Sequence, residues 1–393
     1  MNTAILNTEI QEFINKNLNT DITSILLKGT SFSSVETNDI VEQIESKKRS
    51  EKKLPTWFNC KGIYFPNKLN IEQTSSEITA KYKSSLISGD TILDLTGGFG
   101  IDCYYFSKKF KTVEHCEINE NLSKIVKYNY KQLNIHNIET INTDGIEYLS
   151  ASKNKYDWIY IDPSRRHNSK GKVFFLKDSL PSVPEHLNLL FKKSKNVLIK
   201  TSPLLDISIG IKELVHVKSI HVIAVNNEVK ELLWVLESGF DDKIIIKTVN
   251  IKKDNRENFN FLLEDEKQLE TRYSLPLNYL YEPNSAILKA GGFQSAANTL
   301  NVFKLHKHSH LYTSELELDF PGRAFQIEKI IAYNKKELRK VGIKKANVTT
   351  RNFPESVQNI RKKFNISDGG TNYLFFTTDV NNNKIIISTL KLK

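Results

Sequence analysis

The chain has only three cysteines in 393 residues, and that shortage is its first constraint. Cys60, Cys103 and Cys116 cannot build a disulfide framework, and they fall at no spacing that a metal site uses. No uninterrupted apolar run approaches the roughly 18 residues of a membrane-spanning helix. No internal repeat and no low-complexity tract is visible. Residues 1–18 scatter Glu9, Glu12 and Lys16 among isolated apolar side chains, which is unlike a secretory signal. A reducing cytoplasm is the expected setting. The oligomeric state is not legible at this level.

What is present is an ordinary soluble composition, with 39% hydrophobic and 26% charged residues, which excludes a disordered or fibrous chain. The length exceeds what one core usually serves, so two or three domains are expected. Lys and Arg number 56 against 45 Asp and Glu, a formal charge of +11. Such an excess suits a polyanionic partner, through phosphate neutralisation and counterion release. A basic surface that serves only solubility is the plainer alternative.

The first 50 residues read as short amphipathic helices, with Ile10, Phe13 and Ile14 at helical spacing and Ile40, Val41 and Ile44 repeating the pattern. The basic run 47–53, ended by Pro55, reads as a solvated helix end rather than a phosphate contact. Thr74 and Glu77 have the spacing of a capping box, which predicts a helix from there to about Leu86. From Thr91 short apolar strands alternate with helices. Strands are predicted over 91–95, 113–117, 138–143, 158–161 and 197–200, with helices through Tyr104 and Phe106 and over 122–133. This alternation predicts a parallel, doubly wound sheet with right-handed crossovers. Strands at 221–225 and 232–236 are joined by a link too short for a parallel crossover, so that pair must be antiparallel. Beyond Asp241, 244–251 and 259–263 read as a strand pair around a charged turn. Further strands are predicted over 311–320 and 373–378, with a lysine-rich helix between them.

The strongest signal is Asp94-Leu95-Thr96-Gly97-Gly98-Phe99-Gly100-Ile101-Asp102, where a first strand turns into a first helix. Gly98 and Gly100 let the backbone approach a ligand, and the helix N-terminus adds favourable dipoles. Glu117 ends the second strand, where a carboxylate can accept from both ribose hydroxyls of an adenosine ligand. A dinucleotide fingerprint asks for a third glycine, and Cys103 stands in that place. Asp144, in Asn142-Thr143-Asp144-Gly145, is positioned to accept from an adenine amino group. Asp94, Glu117, Asp144 and Asp162 all end successive strands. Such a rim repels a pyrophosphate and suits a cationic sulfonium; helix capping is the other use of carboxylates there. In Asp162-Pro163-Ser164-Arg165-Arg166, Asp162 could orient an acceptor and receive its proton. Arg165 and Arg166 could pin a phosphate, or merely pair with nearby carboxylates.

These residues, in this order, resemble the class I S-adenosylmethionine-dependent methyltransferases, in which a mostly parallel sheet closes on one reversed strand. The chain from about residue 55 onward is similar to the bacterial group that carries a THUMP-like C-terminal domain preceded by a ferredoxin-like segment. Glu72-Gln73-Thr74-Ser75-Ser76-Glu77, Thr79-Ala80-Lys81-Tyr82, Glu282-Pro283-Asn284, Asp319-Phe320-Pro321-Gly322-Arg323, Arg351-Asn352-Phe353-Pro354 and Asp368-Gly369-Gly370 carry that likeness. The resemblance implies an α/β fold: a Rossmann-like, doubly wound, seven-stranded sheet with an antiparallel last strand, a helical N-terminal domain and an α+β C-terminal region. The expected divisions are 1–85, 86–272, 273–325 and 326–393. S-adenosylmethionine is the implied cofactor, held by Gln73, Thr74, Asp94, Leu95, Thr96, Gly97, Gly98, Gly100, Asp102, Glu117, Asp144 and Gly145. Asp162, Pro163, Ser164 and Arg165 are the implied catalytic turn.

RNA, either tRNA or rRNA, is the implied substrate, since THUMP domains are associated with RNA. No aromatic residue follows Asp162-Pro163 to stack on a base, which counts against adenine or cytosine amines. The fifth strand ends in Lys200-Thr201-Ser202-Pro203, with no cysteine for covalent pyrimidine chemistry. A guanine amine or a ribose acceptor passes both tests. Arg166, Lys335, Lys336, Arg339, Lys340, Lys344, Lys345, Arg351, Arg361 and Lys362, interleaved with Phe353 and Phe364, form the expected RNA contact. Protein or small-molecule methylation, and a cofactor-binding RNA-associated module without turnover, are the alternatives. His306, His308 and His310 would share one face of a strand, but no partnering cysteine or carboxylate pattern accompanies them, and no metal is expected.

Overall fold

A computed structural model describes residues 1–165 and 175–392. The chain divides into two compact units, Met1–Val217 with Trp234–Phe240, and Lys218–Leu233 with Asp241–Lys393.

The first unit opens with six helices: α1 (Thr8–Lys16), α2 (Ile22–Lys28), α3 (Thr37–Lys53), α4 (Pro55–Asn59), α5 (Lys68–Gln73) and α6 (Glu77–Ser84). In α3, Ile40, Val41 and Ile44 are buried as their spacing predicts, and Lys47 lies on the same face over the rings of Phe58 and Phe65. The basic run is therefore largely spent within the unit, since Arg49 pairs with Glu72 and Lys53 donates to the carbonyls of Ile71 and Glu72. Helix α6 starts two residues later than the Thr74 capping box predicts and stops short of Leu86. Its N-cap is Ser76, which accepts from the Thr79 amide at 3.2 Å. Glu77 cannot reach back to Thr74 because its carboxylate accepts from the Thr56 amide and hydroxyl and from the Tyr105 hydroxyl.

A parallel sheet follows: β1 (Gly89–Asp94), α7 (Ile101–Phe106), β2 (Phe110–Cys116), α8 (Glu120–Gln132), β3 (Ile138–Ile141), α9 (Gly145–Ala151) and β4 (Tyr156–Ile161). A two-stranded piece, β5 (Ser164–Arg165) and β6 (Ser179–Leu180), precedes α10 (Val183–Lys193), β7 (Ser194–Thr201), α11 (Ile207–Glu213), β8 (Val217–Val225) and β9 (Glu228–Glu237). Pairing of β1 with β2 and β4, of β2 with β3 and of β4 with β7 is parallel throughout. Buried Ile, Val and Leu runs such as Ile92–Leu93 and Val197–Leu198–Ile199 are what a sheet covered on both faces requires. Asn226 and Asn227, at φ 50° and 64°, turn β8 into β9, the two-residue geometry of an antiparallel hairpin.

The sheet order is β11-β10-β8-β9-β7-β4-β1-β2-β3 among the described residues. It carries two strands beyond the expected seven, β10 (Ile245–Ile251) and β11 (Arg256–Leu262). β10 runs parallel to β8, and β11 returns antiparallel. The expected strand pair is present, but it extends an existing sheet rather than forming its own.

The rest of the second unit comprises α12 (Leu263–Gln268), β12 (Tyr279–Pro283), α13 (Ser285–Ala290), α14 (Phe293–Thr299), β13 (Phe303–Lys304), β14 (Tyr312–Ser314), β15 (Gly322–Ala332), α15 (Lys335–Val341), β16 (Asn347–Arg351), α16 (Val357–Phe364), β17 (Asn372–Thr378) and β18 (Lys384–Lys391). Its sheet runs β13-β14-β12-β15-β18-β17-β16. Period-two alternation builds a core on each face: Leu374, Phe376 and Ile386 enter one cluster, Phe375, Ile385 and Ile387 the other. The strand predicted over 311–320 is only the three residues of β14, and the longest strand of this sheet, β15, begins after it. Its register shift between Ile327 and Lys329 breaks the alternation that marks a strand. The expected division at 325/326 falls inside β15. No helix among the described residues is long and apolar enough to cross a membrane.

Candidate cofactor site and the family of the chain

The glycine loop leaves the carboxyl edge of β1 and closes on the N-terminus of α7. Its scaffold is a set of directed hydrogen bonds. The Gly97 amide donates to the Cys116 carbonyl at 2.8 Å, the Gly98 amide to Glu117 Oε2 at 3.0 Å and the Gly100 amide to the Gly97 carbonyl at 3.0 Å. Gly98 and Gly100 take φ of 55° and 77°, backbone that a side chain strains. A Cβ on Gly97 would overlap the ring of His115, and one on Gly145 would overlap the Leu95 backbone. A Cβ on Gly98 would meet nothing nearer than the Thr96 carbonyl at 3.8 Å, so this is the position where the loop backbone is bare.

The four carboxylates expected in one rim divide in two. Asp94 is 1% exposed and turned into the loop. Its Oδ1 accepts from the Thr96 amide at 2.9 Å, and its Oδ2 from the Cys103 thiol at 3.1 Å. Burial pushes its pKa up to about 7; the Thr96 amide and the Cys103 thiol pull it down, and Asp102 and Asp162 add to the rise. Asp94 thus braces the loop from below. Cys103 takes its loop position because the thiol serves that carboxylate.

Glu117, Asp144 and Asp162 remain partly exposed. Glu117 also accepts from the Asn119 amide at 2.7 Å, and burial raises its pKa despite the two amides. Asp144 is the N-cap of α9, its Oδ1 accepting from Ile146 at 2.8 Å and Glu147 at 3.1 Å. Capping occupies one oxygen and orients the other. The Asp162 amide donates to Thr96 Oγ1 at 2.7 Å, which ties the turn after β4 to the glycine loop. Its carboxylate is ion-paired with Lys200 at the end of β7 and keeps about 30% of its side chain exposed. Pro163 is buried and Ser164 exposed. Arg165 lies in β5, and Arg166 lies outside the described residues.

Asp102 is likewise turned inward. It is buried, with Lys83 Nζ 3.1 Å from Oδ1 and with Ser75 Oγ and Tyr160 Oη donating to Oδ2 at 2.8 and 2.9 Å. Burial pushes its pKa up, but Lys83, Lys200 and the two hydroxyls outweigh it, and the net shift is downward. Lys83 is fully buried and also donates to Ser75 Oγ at 2.9 Å. This network clamps α6 and the α5–α6 junction to the first turn of α7. Gln73, exposed, ends α5, and Thr74 is its C-cap. The contribution of 72–77 to the site thus runs through Ser75.

Lys83, Ser75, Tyr160, His115 and Lys200 were not legible as site residues, since each acts through a partner distant in sequence. Only Lys200 carried a signal, its place at the end of the fifth strand. His115 is fully buried against the glycine loop, and burial lowers its pKa to about 4, opposed by backbone hydrogen bonds that include Gly97 and Gly98.

The expected RNA contacts are also divided. Lys335, Lys336, Arg339 and Lys340 are exposed on α15, Lys340 paired with Glu337, and Lys344, Lys345 and Lys362 are exposed. Arg351 is instead paired with buried Glu282 at 2.6 Å, and Arg361 with Asp368, donating also to the Ala346 carbonyl. Phe353 and Phe364 pack on the core of the C-terminal sheet and are not free to stack on bases. The three histidines lie in a turn, not a strand. His306 bonds Asn352 and Asn382, and His310 stacks on Phe293.

A glycine loop after β1, an acidic residue ending β2, an Asp-Pro turn after β4 and an antiparallel hairpin closing a parallel sheet define the methyltransferase class of α/β fold. Comparison with known proteins agrees. A crystal structure from Porphyromonas gingivalis W83, assigned as a methyltransferase, is 32% identical, with a TM-score of 0.90 over 100% of this chain and 99% of that one. The chain belongs to that methyltransferase family. Residues 279–321 match a ferredoxin-like domain and residues 322–391 a THUMP domain-like family. Ribosomal RNA small subunit methyltransferase D of Buchnera aphidicola is 34% identical over 114 residues, 27% of this chain and 59% of that protein. An uncharacterised RNA methyltransferase of Mycoplasma mobile is 29% identical over 129 residues, 32% of this chain and 35% of that protein. The chain thus spans less than two thirds of these curated relatives.

Proposed function

We propose that the chain transfers a methyl group from S-adenosylmethionine to RNA, directly and without a covalent cysteine intermediate. The observation that carries the cofactor reading is the Gly98–Glu117 contact. A bare backbone with positive φ sits against a half-buried carboxylate, where a ribose needs close approach and two acceptors. The donor set fits the group: Glu117 for the ribose, the second oxygen of Asp144 for the adenine amine and a carboxylate-rich edge for a cation. When bound, the cofactor supplies an electrophilic methyl on a sulfonium with a neutral thioether leaving group.

The chain's own residues supply position. The Thr96 hydroxyl holds the Asp162 backbone, and Lys200 holds its carboxylate. The exposed edge of Asp162 accepts from the acceptor's N–H or O–H and receives its proton as the new bond forms. A thiol path has little support. Cys103 and Cys116 are buried, and burial is the largest cause raising each thiol pKa, which opposes thiolate formation. RNA as acceptor is supported by the likeness to two relatives named as RNA methyltransferases, by the THUMP domain-like match and by the exposed cations of α15.

Calorimetric titration with S-adenosylmethionine and, separately, NADH tests the cofactor. Binding of the sulfonium alone, weakened at least about tenfold in Glu117→Ala by loss of charge-assisted hydrogen bonds, is expected. Tight NADH binding would overturn the reading. Transfer of labelled methyl to rRNA or tRNA, retained cofactor affinity and lost transfer in Asp162→Ala complete the test.

A further inference from the structure

The second unit holds a cavity of about 510 Å³ at the β8–β9 turn, the β10–β11 turn and the facing ends of β15 and β18. This volume is in the range of small-ligand sites. Its lining carries no aromatic and no large aliphatic side chain. It is built from amide and charged side chains instead, which points to a ligand with charge and many hydrogen-bonding edges.

Four cations line it, Lys252, Lys253, Arg323 and Lys391, against two carboxylates, Asp254 and Glu257. Two of the four cations are already paired, Lys252 with Glu257 and Arg323 with Glu282. Glu257 is consumed inside the wall: it accepts from Asn250 at 2.9 Å and Asn284 at 3.1 Å and pairs with Lys252. Arg323 is held rigid. Its Nε and one Nη grip Oε2 of Glu282, whose Oε1 is taken by Arg351, and its guanidinium lies over Phe325 and Phe375 at 5.4 and 5.8 Å. A guanidinium fixed in this way still has donors to offer an anion. Lys253 and Lys391 are exposed and neither has a carboxylate partner within salt-bridge distance among the described residues. The wall is braced: the Asn227 amide donates to Asn250 Oδ1 at 2.8 Å, and the Ser285 amide to Asn227 Oδ1 at 2.7 Å. A built, amide-lined and cationic cavity is what a nucleotide requires, with a phosphate for the cations and a base or ribose edge for the amides.

We propose that this cavity is a second RNA-binding site, taking one nucleotide of the strand with its phosphate between Lys253, Lys391 and Arg323. The inference rests on the RNA reading above and adds an anchor that neither the α15 cations nor the catalytic edge provides. Most of its lining lies outside 322–391, while Gly322, Arg323 and Lys391 belong to the THUMP domain-like segment.

The test uses the full chain, a labelled 12-nucleotide single-stranded RNA, AMP, and a poly-glutamate competitor. Each phosphate contact on a single strand contributes about 0.7 to the salt slope. With one phosphate in the site, Lys253→Ala/Lys391→Ala therefore reduces the slope by up to about 0.7 and the affinity by up to roughly 5-fold at 0.1 M salt relative to 1 M, which follows from that slope. AMP should compete for the same lost increment, and S-adenosylmethionine affinity should not change. Both lysines are exposed and outside the glycine-loop site, so a folded variant is expected. Wild-type binding that survives in this variant but falls on neutralising Lys335, Lys336 and Arg339 would overturn the cavity and leave the RNA reading standing. No RNA binding by the wild type would overturn both. Competition by poly-glutamate as effective as by RNA would overturn the nucleotide in favour of an acidic peptide.

Discussion

Asp94 makes the stability of the first unit depend on pH in a direction opposite to that of an ordinary salt-bridged carboxylate. Its pKa rises from 3.8 to about 7 because it is buried. The folded state therefore keeps a proton that the unfolded chain releases. Stability from this group is greatest below about pH 4 and is lost as the pH climbs to about 7. A shift of some three pH units corresponds to about 4 kcal/mol, roughly 1.4 kcal/mol per pH unit across that window. Asn at this position keeps the oxygen that accepts from Thr96 and cannot ionise. Its amide faces the Cys103 thiol, for which about 1 kcal/mol is lost at low pH as one hydrogen bond is exchanged. The expected outcome is a crossover near pH 4.5: Asp94→Asn is the less stable protein below it and the more stable one by about 3 kcal/mol near pH 7.5. Urea titration followed by tryptophan emission reads it, because Trp57, Trp158 and Trp234 all lie in the first unit. Trp57 packs on Phe99 of the loop itself. Parallel stability curves for the two proteins from pH 4.5 to 7.5 would refute the reasoning.

Two further outcomes follow from the loop. Lys83→Met leaves the buried Asp102 without its nearest cation and should cost about 3–5 kcal/mol, whereas Tyr160→Phe removes one hydrogen bond for about 1 kcal/mol. Urea titration at pH 7 that ranks the two alike would count against the clamp. Gly97→Ala should weaken both stability and S-adenosylmethionine binding by forcing a methyl into His115, and His115→Ala in the same chain should recover much of the loss. Gly98→Ala, with free space but φ of 55°, should cost only about 1 kcal/mol. Additive losses in the Gly97/His115 double variant would show that the two do not meet.

The sequence carried the site's backbone but not its underside. Gly98, Glu117 and Asp144 announce themselves because a strand, a glycine turn and a helix arrive in register, and the register is local. The inward turn of Asp94 was not legible because the end of a strand says where a residue sits, not which way its side chain turns; Thr96 and Cys103 decide that. Lys83 sits mid-helix, and nothing in its spacing separates a buried cation from a solvated one. The α16 basic run gave the opposite error: Arg361 looked free and is tied to Asp368 and the Ala346 carbonyl. Strand β15 was lost because Gln326, Glu328 and Lys329 are exposed around a bulge, so its apolar residues keep no period of two.

The two-unit division has a consequence for how this chain can be inherited and handled. The polypeptide passes from one unit to the other three times, after Val217, Leu233 and Phe240, and β9 gives residues to both. A single junction in the gene therefore cannot transplant the C-terminal part intact. A fragment begun at residue 241 carries β10 without β8, the strand it pairs with along seven residues. Recombination would have to move the hairpin as well, which binds the two halves of the sequence into one heritable unit.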